Sequence, residues 1–303
     1  NLATGFLAEG REVDIVLCQA KGAFLDEIPA GATMVELEAT GGLRARWIIA
    51  RSNLQDFFVR LRPVLLAKKT APEVASIRAL QRYIVASQPD VILSALPYAN
   101  LSAIWAKELS GSRVPVIVSE RIALLSYCAA PSNSRKWRWR YLPELVRRTY
   151  PRADRVIAVS DHVANELITT IGLSKDSVVA VPNPVVDGAL RACAQQALAH
   201  PWFAQGGPPV ILAAGRLTEQ KDFATLIHAF AAVRTDREAR LVILGEGRLR
   251  DDLEQLVCTL GIQADVYMPG FVENPFQYMA RASVLVLSSA YEGLPGVLIQ
   301  ALA

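Results

Sequence analysis

The stretch SSAYEGLPGVLIQALA (288–303) sets one carboxylate, Glu292, between an apolar run and a glycine–proline turn that opens a helix. The first N–H groups of a helix have no partner inside it and attract anions. Glu292 therefore reads either as a helix cap or as a carboxylate that meets a ligand's hydroxyls. Gly293, Leu294, Pro295 and Gly296 make the turn, and Gln300 follows where a regular helix brings it back to the same side. A second group lies in AAGRLTEQKDF (213–223). Gly215 lets the chain turn tightly, and Arg216 and Lys221 place two cations beside the next helix N-terminus. Two cations and free N–H groups suit a diphosphate, with solvated surface charges as the alternative. In ILGEGRLRDDLE (243–254), Gly245 and Gly247 permit close backbone approach, and Glu246 can accept from a base or sugar or belong to an ordinary turn. In MPGFVENP (268–275), Phe271 and Val272 offer an apolar wall and backbone groups to a base.

These turns need a frame that collects them. Short β-branched runs recur at 12–18, 33–37, 90–94, 114–119 and 155–160, separated by stretches of helical spacing such as NLQDFFVRLRPVLLA (53–67) and VASIRALQRYIVAS (74–87). Strands apolar on both faces that alternate with helices predict a parallel sheet covered on two sides. The alternation pauses over 181–209, which is rich in proline and glycine around one Ala-rich helix, and restarts with VILAAG at 210. From there RLVILG, ADVYMPG and SVLVLSS alternate with helices DFATLIHAFAAVR and RLRDDLEQLVCTLG. The expectation is two α/β doubly wound domains, 1–183 and 184–303. In such sheets ligands bind beyond the carboxyl ends of the strands, where these turns lie.

Composition removes several other functions. The chain has 303 residues, 52% hydrophobic and 20% charged, with a net charge of +3, too small to indicate a nucleic-acid partner. Four dispersed cysteines, with no CxxC pair, and three scattered histidines suggest neither a disulfide framework nor a metal site, and fit a reduced cytoplasmic compartment. No apolar run is long enough to span a bilayer, because Glu120 and Arg121 interrupt the most apolar stretch. No GxGxxG follows a strand, which disfavours a dinucleotide-dependent dehydrogenase.

The segments AAGRLTEQKDF, LVILGEG, PGFVENP and SSAYEGLPGVLIQALA, with ADRVIAVSDHVANEL and VPNPV before them, resemble the retaining glycosyltransferases of family 4. The resemblance covers nearly the whole chain. It implies the GT-B fold of two Rossmann-like domains, an acceptor-binding first domain and a nucleotide-sugar-binding second one. It implies a hexosyltransferase-type enzyme of class EC 2.4 that transfers sugar with retention to a saccharide or lipid-linked acceptor, in surface polysaccharide, lipopolysaccharide or glycolipid synthesis, with no cofactor and no metal. Arg216 and Lys221 match the positions that neutralise the departing diphosphate, and Glu292 matches the first carboxylate of a paired motif, facing the donor sugar. Gln300 falls where relatives carry a second glutamate that binds ribose, which is a departure. Where relatives often carry a histidine after a Ser-Glu strand end, this chain has Glu120 and then Arg121, read with Asn183 as acceptor-side residues. Asn183 reads equally as a turn residue. The resemblance also implies that a first strand with its Gly-rich loop precedes Asn1 and that further elements follow Ala303, so that the chain as given turns over little.

Residues 134–155 interleave Arg135, Lys136, Arg138, Arg140, Arg147 and Arg148 with Trp137, Trp139 and Tyr141. This segment is either a basic amphipathic contact with an anionic membrane surface, on the inner face of the plasma membrane, or a solvated helix packed by its Trp and Leu face. Two other functions stand beside sugar transfer: a nucleotide-sugar 2-epimerase on the same fold, and a non-catalytic nucleotide-binding fragment.

Overall fold

The computed structural model describes residues 2–22, 25–52, 56–186 and 188–303. The chain divides into two compact units, Asn1–Asn183 and Pro184–Ala303.

In the first unit, helix α1 (Leu2–Ala8) leads into β1 (Val13–Leu17) and β2 (Ala32–Glu36), which pair in parallel. Helix α2 (Gly42–Ser52) and the single turn α3 (Phe57–Arg60) follow, and α3 runs into a π-helical turn at Leu61–Leu65. Then come α4 (Ile77–Ser87), β3 (Ile92–Ala95), α5 (Pro97–Ser110) and β4 (Val116–Glu120). The short α6 (Trp137–Arg140) and α7 (Leu142–Thr149) precede β5 (Arg155–Ala158) and β6 (Val178–Ala180). Strands β3 to β6 form a second parallel sheet in sequential order, so the described strands of this unit fall into two sheets. The helix ends follow local chemistry. Proline opens α5 at a position whose N–H would be unpaired anyway, and Gly111, at φ +67°, ends it in the left-handed conformation.

The structure departs from some of the sequence expectations. The helix read over 53–67 is broken: Asn53–Gln55 lie outside the described residues, as does Asn1, and the rest is α3 plus the π turn. The helix read over 74–87 is interrupted at the buried Ser76, which separates Pro72–Ala75 from α4. The residue pattern does not predict strand β6, because three residues ahead of VPNP leave too short a run to read.

In the second unit, α8 (Gly188–Gln195) precedes β7 (Val210–Ala214), α9 (Phe223–Asp236), β8 (Arg240–Leu244), α10 (Arg250–Thr259), β9 (Val266–Gly270), β10 (Val284–Leu285) and α11 (Gly296–Leu302). All four strands are parallel, in the order β10-β7-β8-β9. Side chains alternate across the sheet. Ala213, Leu241 and Ile243 pack into one core with Phe223, Ile227 and Phe230 of α9 and Leu253 and Val257 of α10. Val210, Leu212, Val242 and Leu244 pack into another with Tyr278. A sheet buried on both faces is the doubly wound architecture, and it explains why these strands are apolar throughout. SVLVLSS shortens to the two residues of β10 because this edge strand pairs only with β7.

Strand order reverses at β7: the chain runs outward through β8 and β9, then returns to lay β10 on the other side. The loops leaving the carboxyl ends of β7 and β10 therefore lie at the topological switch point of this sheet, the place where open α/β sheets receive ligands. Among the described residues no helix is long and apolar enough to cross a membrane.

Candidate functional site

The β7 loop carries Gly215, Arg216 and Lys221, and the β10 loop carries Glu292. The two are fastened together. Ala290 N–H donates to the Gln220 carbonyl at 2.8 Å, Gln220 Nε2 to the Tyr291 carbonyl at 3.2 Å, and Ser288 Oγ to the Lys221 carbonyl at 2.8 Å. Across this junction Lys221 Nζ donates to Glu292 Oε1 at 2.6 Å, with side chains only 17% and 19% exposed. The pair is thus held largely out of water, where charge–charge attraction is stronger than on an open surface. Asp222, at φ +46°, caps α9 through the Thr225 N–H and hydroxyl and turns the chain directly after Lys221. Arg216 is exposed, and its guanidinium has no hydrogen bond or ion pair among the described residues. The sequence singled out Lys221 and Glu292 but not Gln220 and Ser288, which hold them; nothing in residue type marked those two.

The glycines have a specific reason. A Cβ at Gly245 (φ +133°) would overlap the Gly215 carbonyl, and one at Gly247 would overlap the Leu217 carbonyl. The β8 turn is pressed against the β7 turn and bonded to it: Gly215 N–H to Leu244 O, Leu217 N–H to Glu246 O, and Leu249 N–H to Leu217 O. GEG thus acts here by backbone packing between two loops. A Cβ at Gly215 would stand 3.0 Å from Lys221 Cε, so this glycine makes room for the lysine stem.

Glu246 is engaged at both oxygens by Arg250, at 2.8 and 3.0 Å, and that guanidinium holds its carboxyl below the usual range. Arg250 also donates to the Met268 carbonyl, joining α10 to β9. Gly270, at φ +91°, accepts from Gly245 N–H, and the adjoining Phe271 is 59% exposed while Val272 packs toward the core. Gly293 is buried, and Leu294 and Pro295 lead into α11. Gln300 Nε2 donates to the Val185 carbonyl at 3.1 Å, and a Cβ at Gly296 would meet Val185 Cγ1 at 3.2 Å. Residues 293–300 are therefore seated on the segment that opens this unit.

Glu120, Arg121 and Asn183 belong to the first unit. Glu120 ends β4 with no exposed surface. Tyr150 Oη donates to its Oε2 at 2.9 Å, Arg121 N–H to its Oε1 at 3.2 Å, and Asn100 Nδ2 to Tyr150 Oη at 2.9 Å. Burial pushes the Glu120 carboxyl up to about 7, against the bonds from Tyr150 and the backbone, and Glu166 adds to the rise. A carboxylate so enclosed acts through its neighbours. Arg121 is half-buried, and burial lowers its guanidinium below the usual value. Asn183 is partly buried ahead of Pro184.

In 134–155 the two tryptophans differ. Trp139 packs edge-on against Tyr98 and Tyr127 at 5.4 and 5.0 Å, with Arg138 over its ring at 4.4 Å, while Trp137 is 45% exposed. Arg147 and Arg148 pair with Glu144. No group of His, Cys, Asp and Glu able to hold a metal occurs among the described residues.

The family description Glycosyltransferase Family 4 matches residues 1–187, and Glycosyl transferases group 1 matches 208–303. Among curated relatives, the N-acetylgalactosamine-N,N'-diacetylbacillosaminyl-diphospho-undecaprenol 4-alpha-N-acetylgalactosaminyltransferase of Campylobacter jejuni is 34% identical over 52% of this chain and 41% of its own length. The GalNAc-alpha-(1->4)-GalNAc-alpha-(1->3)-diNAcBac-PP-undecaprenol alpha-1,4-N-acetyl-D-galactosaminyltransferase of the same organism is 30% identical over 78% of this chain and 59% of its own. The chain thus spans less than two thirds of either relative. Among solved structures, sucrose-phosphate synthase from Thermosynechococcus elongatus aligns with a TM-score of 0.72 at 16% identity, over 99% of this chain and 71% of its own. Anabaena Alr3699/HepE in complex with UDP-glucose aligns at 0.60 and 18% identity, over 96% and 78%. At such identities the likeness is one of fold, the GT-B arrangement of Rossmann-like domains.

Proposed function

The chain belongs to glycosyltransferase family 4, and from that premise we propose that it transfers a sugar from a nucleotide-sugar donor to a saccharide or lipid-linked acceptor, with retention, in surface polysaccharide or glycolipid synthesis. The observation that carries this reading is the Lys221–Glu292 contact, at 2.6 Å, at the switch point where the second sheet reverses its strand order. An ammonium has three donors and Glu292 takes one, which leaves two for phosphate oxygens. Arg216, exposed and without a charge partner among the described residues, adds a planar guanidinium for a second phosphate. As the diphosphate departs, negative charge grows on its oxygens, and these two cations stabilise it without a metal; a positioned group of this kind is worth on the order of 3 kcal/mol in the transition state. The free oxygen of Glu292 accepts from hydroxyls of the donor sugar. Gln300 spends one amide proton on Val185 and keeps Oε1 for a ribose hydroxyl.

Relatives whose names specify undecaprenol-linked substrates support a lipid-linked acceptor, and with it work at the inner face of a membrane. Glu120 in this reading is a positioning residue that sets the backbone of Arg121, the acceptor-side cation, and Asn183 lies at the end of the same unit. The test is a screen of UDP- and GDP-sugars on the full-length protein, reading nucleoside diphosphate release with and without lipid-linked acceptor. Acceptor-stimulated release from one donor is expected, with the product anomer matching the donor's. Absence of release from every donor would overturn the reading, and an inverted product would overturn retention.

A further inference from the structure

Helices α2 and α3 of the first unit carry apolar side chains that the fold leaves outside. Phe58 is 81% exposed, Leu43 77% and Trp47 65%; among the described residues of this unit no large apolar side chain is more exposed. Leu43, Trp47 and Arg51 recur at every fourth residue of α2, so they share one helix face, while Ala45 and Ile49 fill the core opposite. Leu66, just past the π turn, is also exposed. The two elements are locked together from the inside. Arg46 donates to the Leu65 and Ala67 carbonyls, and the buried Arg60 donates to the Ile49 carbonyl.

Charge tells what covers this surface. Between 41 and 70 the exposed cations are Arg44, Arg51, Arg62, Lys68 and Lys69. The sole acid of that stretch, Asp56, is buried and paired with Arg60 and Arg152. Two copies of such a surface repel, so a second copy of this chain is a poor occupant. Cations set between large apolar side chains, with Arg51 lying 5.6 Å over the Trp47 ring, match an anionic bilayer. Its headgroups take the guanidinium and ammonium groups, and its acyl boundary takes indole and phenyl rings. We propose that the exposed face of α2, with the exposed Phe58 and Leu66 of the segment bonded to it, is the surface by which this protein lies on an anionic membrane. This moves the contact away from the centre of 134–155, where Trp139 is spent on internal packing against Tyr98 and Tyr127. The proposal takes its purpose from a lipid-linked acceptor, but vesicle binding is measured without donor or acceptor, so the two readings fail separately.

The experiment is sedimentation with phosphatidylglycerol and with phosphatidylcholine vesicles, plus tryptophan quenching by brominated acyl chains. Of the five tryptophans, Trp105 is fully buried and Trp139 and Trp202 are partly buried, so quenching reports Trp47 and Trp137. Expected are pelleting with phosphatidylglycerol alone, release at about 0.5 M salt, and loss of most quenching in Trp47→Phe while that variant still binds. The pair Leu43→Ser and Phe58→Ser, both outside the core, should lower vesicle partitioning at least about tenfold with an unchanged far-ultraviolet spectrum. The proposal is overturned by absence of pelleting with phosphatidylglycerol, by equal binding to phosphatidylcholine, or by quenching that survives Trp47→Phe and is lost in Trp137→Phe.

Discussion

The Lys221 ammonium lies 2.6 Å from the Glu292 carboxylate although 71 residues separate them. The sheet explains the meeting: β10 returns to the side of β7, so the loop after the last strand closes on the loop after the first of this unit. Both side chains are more than four-fifths covered, which leaves either one poorly solvated without the other. The pair is therefore a unit that is set before any ligand arrives.

A unit should behave as one under mutation. Lys221→Met and Glu292→Gln are each expected to lower kcat/KM by about 10²-fold or more, since in the proposed reaction each removes a charge that faces the donor. The double variant should lose much less than the product of the two, because the second change removes a group already deprived of its partner. Steady-state transfer by the four proteins closes the cycle. Losses that multiply would mean that the two residues act independently.

The β8 turn offers a test of backbone packing. Gly245→Ala forces a methyl into the Gly215 carbonyl at φ +133°, where L-residues are strained. The expected cost is about 2 to 4 kcal/mol, from overpacking and backbone strain together. Because the displaced backbone carries Gly215 and Arg216, the KM for donor should rise as well. A loss of unfolding free energy in urea of less than about 0.5 kcal/mol would show that the loops give way easily.

That turn also divides what the residues of this chain make legible from what they do not. The strands of the second unit were legible because both faces are buried, which writes an unbroken apolar run. The types of residue at the loop ends were legible for the same reason, since strand ends announce where loops begin. Pairings were not. GEG looked like an opening for ligand backbone contacts, and its glycines are consumed by the neighbouring loop. Arg138 and Trp139 stand out by composition, yet what Trp139 touches depends on Tyr98, 41 positions upstream and on another helix. Trp47 does not stand out, because an exposed face is defined by what fails to pack against it.

Gln300 is a position where one atom decides. Its Nε2 donates to the Val185 carbonyl across 115 residues of sequence, and a carboxylate there would set an acceptor against an acceptor. Gln300→Glu is expected to lower stability by about 1 to 2 kcal/mol through the lost bond and the exposed mismatch. Thermal unfolding measures it; an unchanged or raised midpoint would show that α11 is not fastened through this amide.

Glu120 supplies a prediction in pH. Burial raises its carboxyl from 4.5 to about 7 in the folded protein, while the unfolded chain keeps the ordinary value. Between those two values the native state holds up to one proton more than the unfolded chain. Unfolding free energy therefore falls as pH rises, by up to about 1.4 kcal/mol per unit. The stabilisation is fully present below 4.5 and is lost as pH passes through about 7. Against Glu120→Gln, which does not titrate, the native protein should lose on the order of 2 to 3 kcal/mol between about pH 5 and pH 7.5. Tyr150→Phe should lift the folded carboxyl further, because it removes the bond that favours the charged form, and so carry the loss to higher pH. Urea midpoints of the three proteins across this range provide the measurement. Parallel curves for the native protein and Glu120→Gln would mean that the carboxyl stays charged throughout and that the protein pays for its burial at every pH.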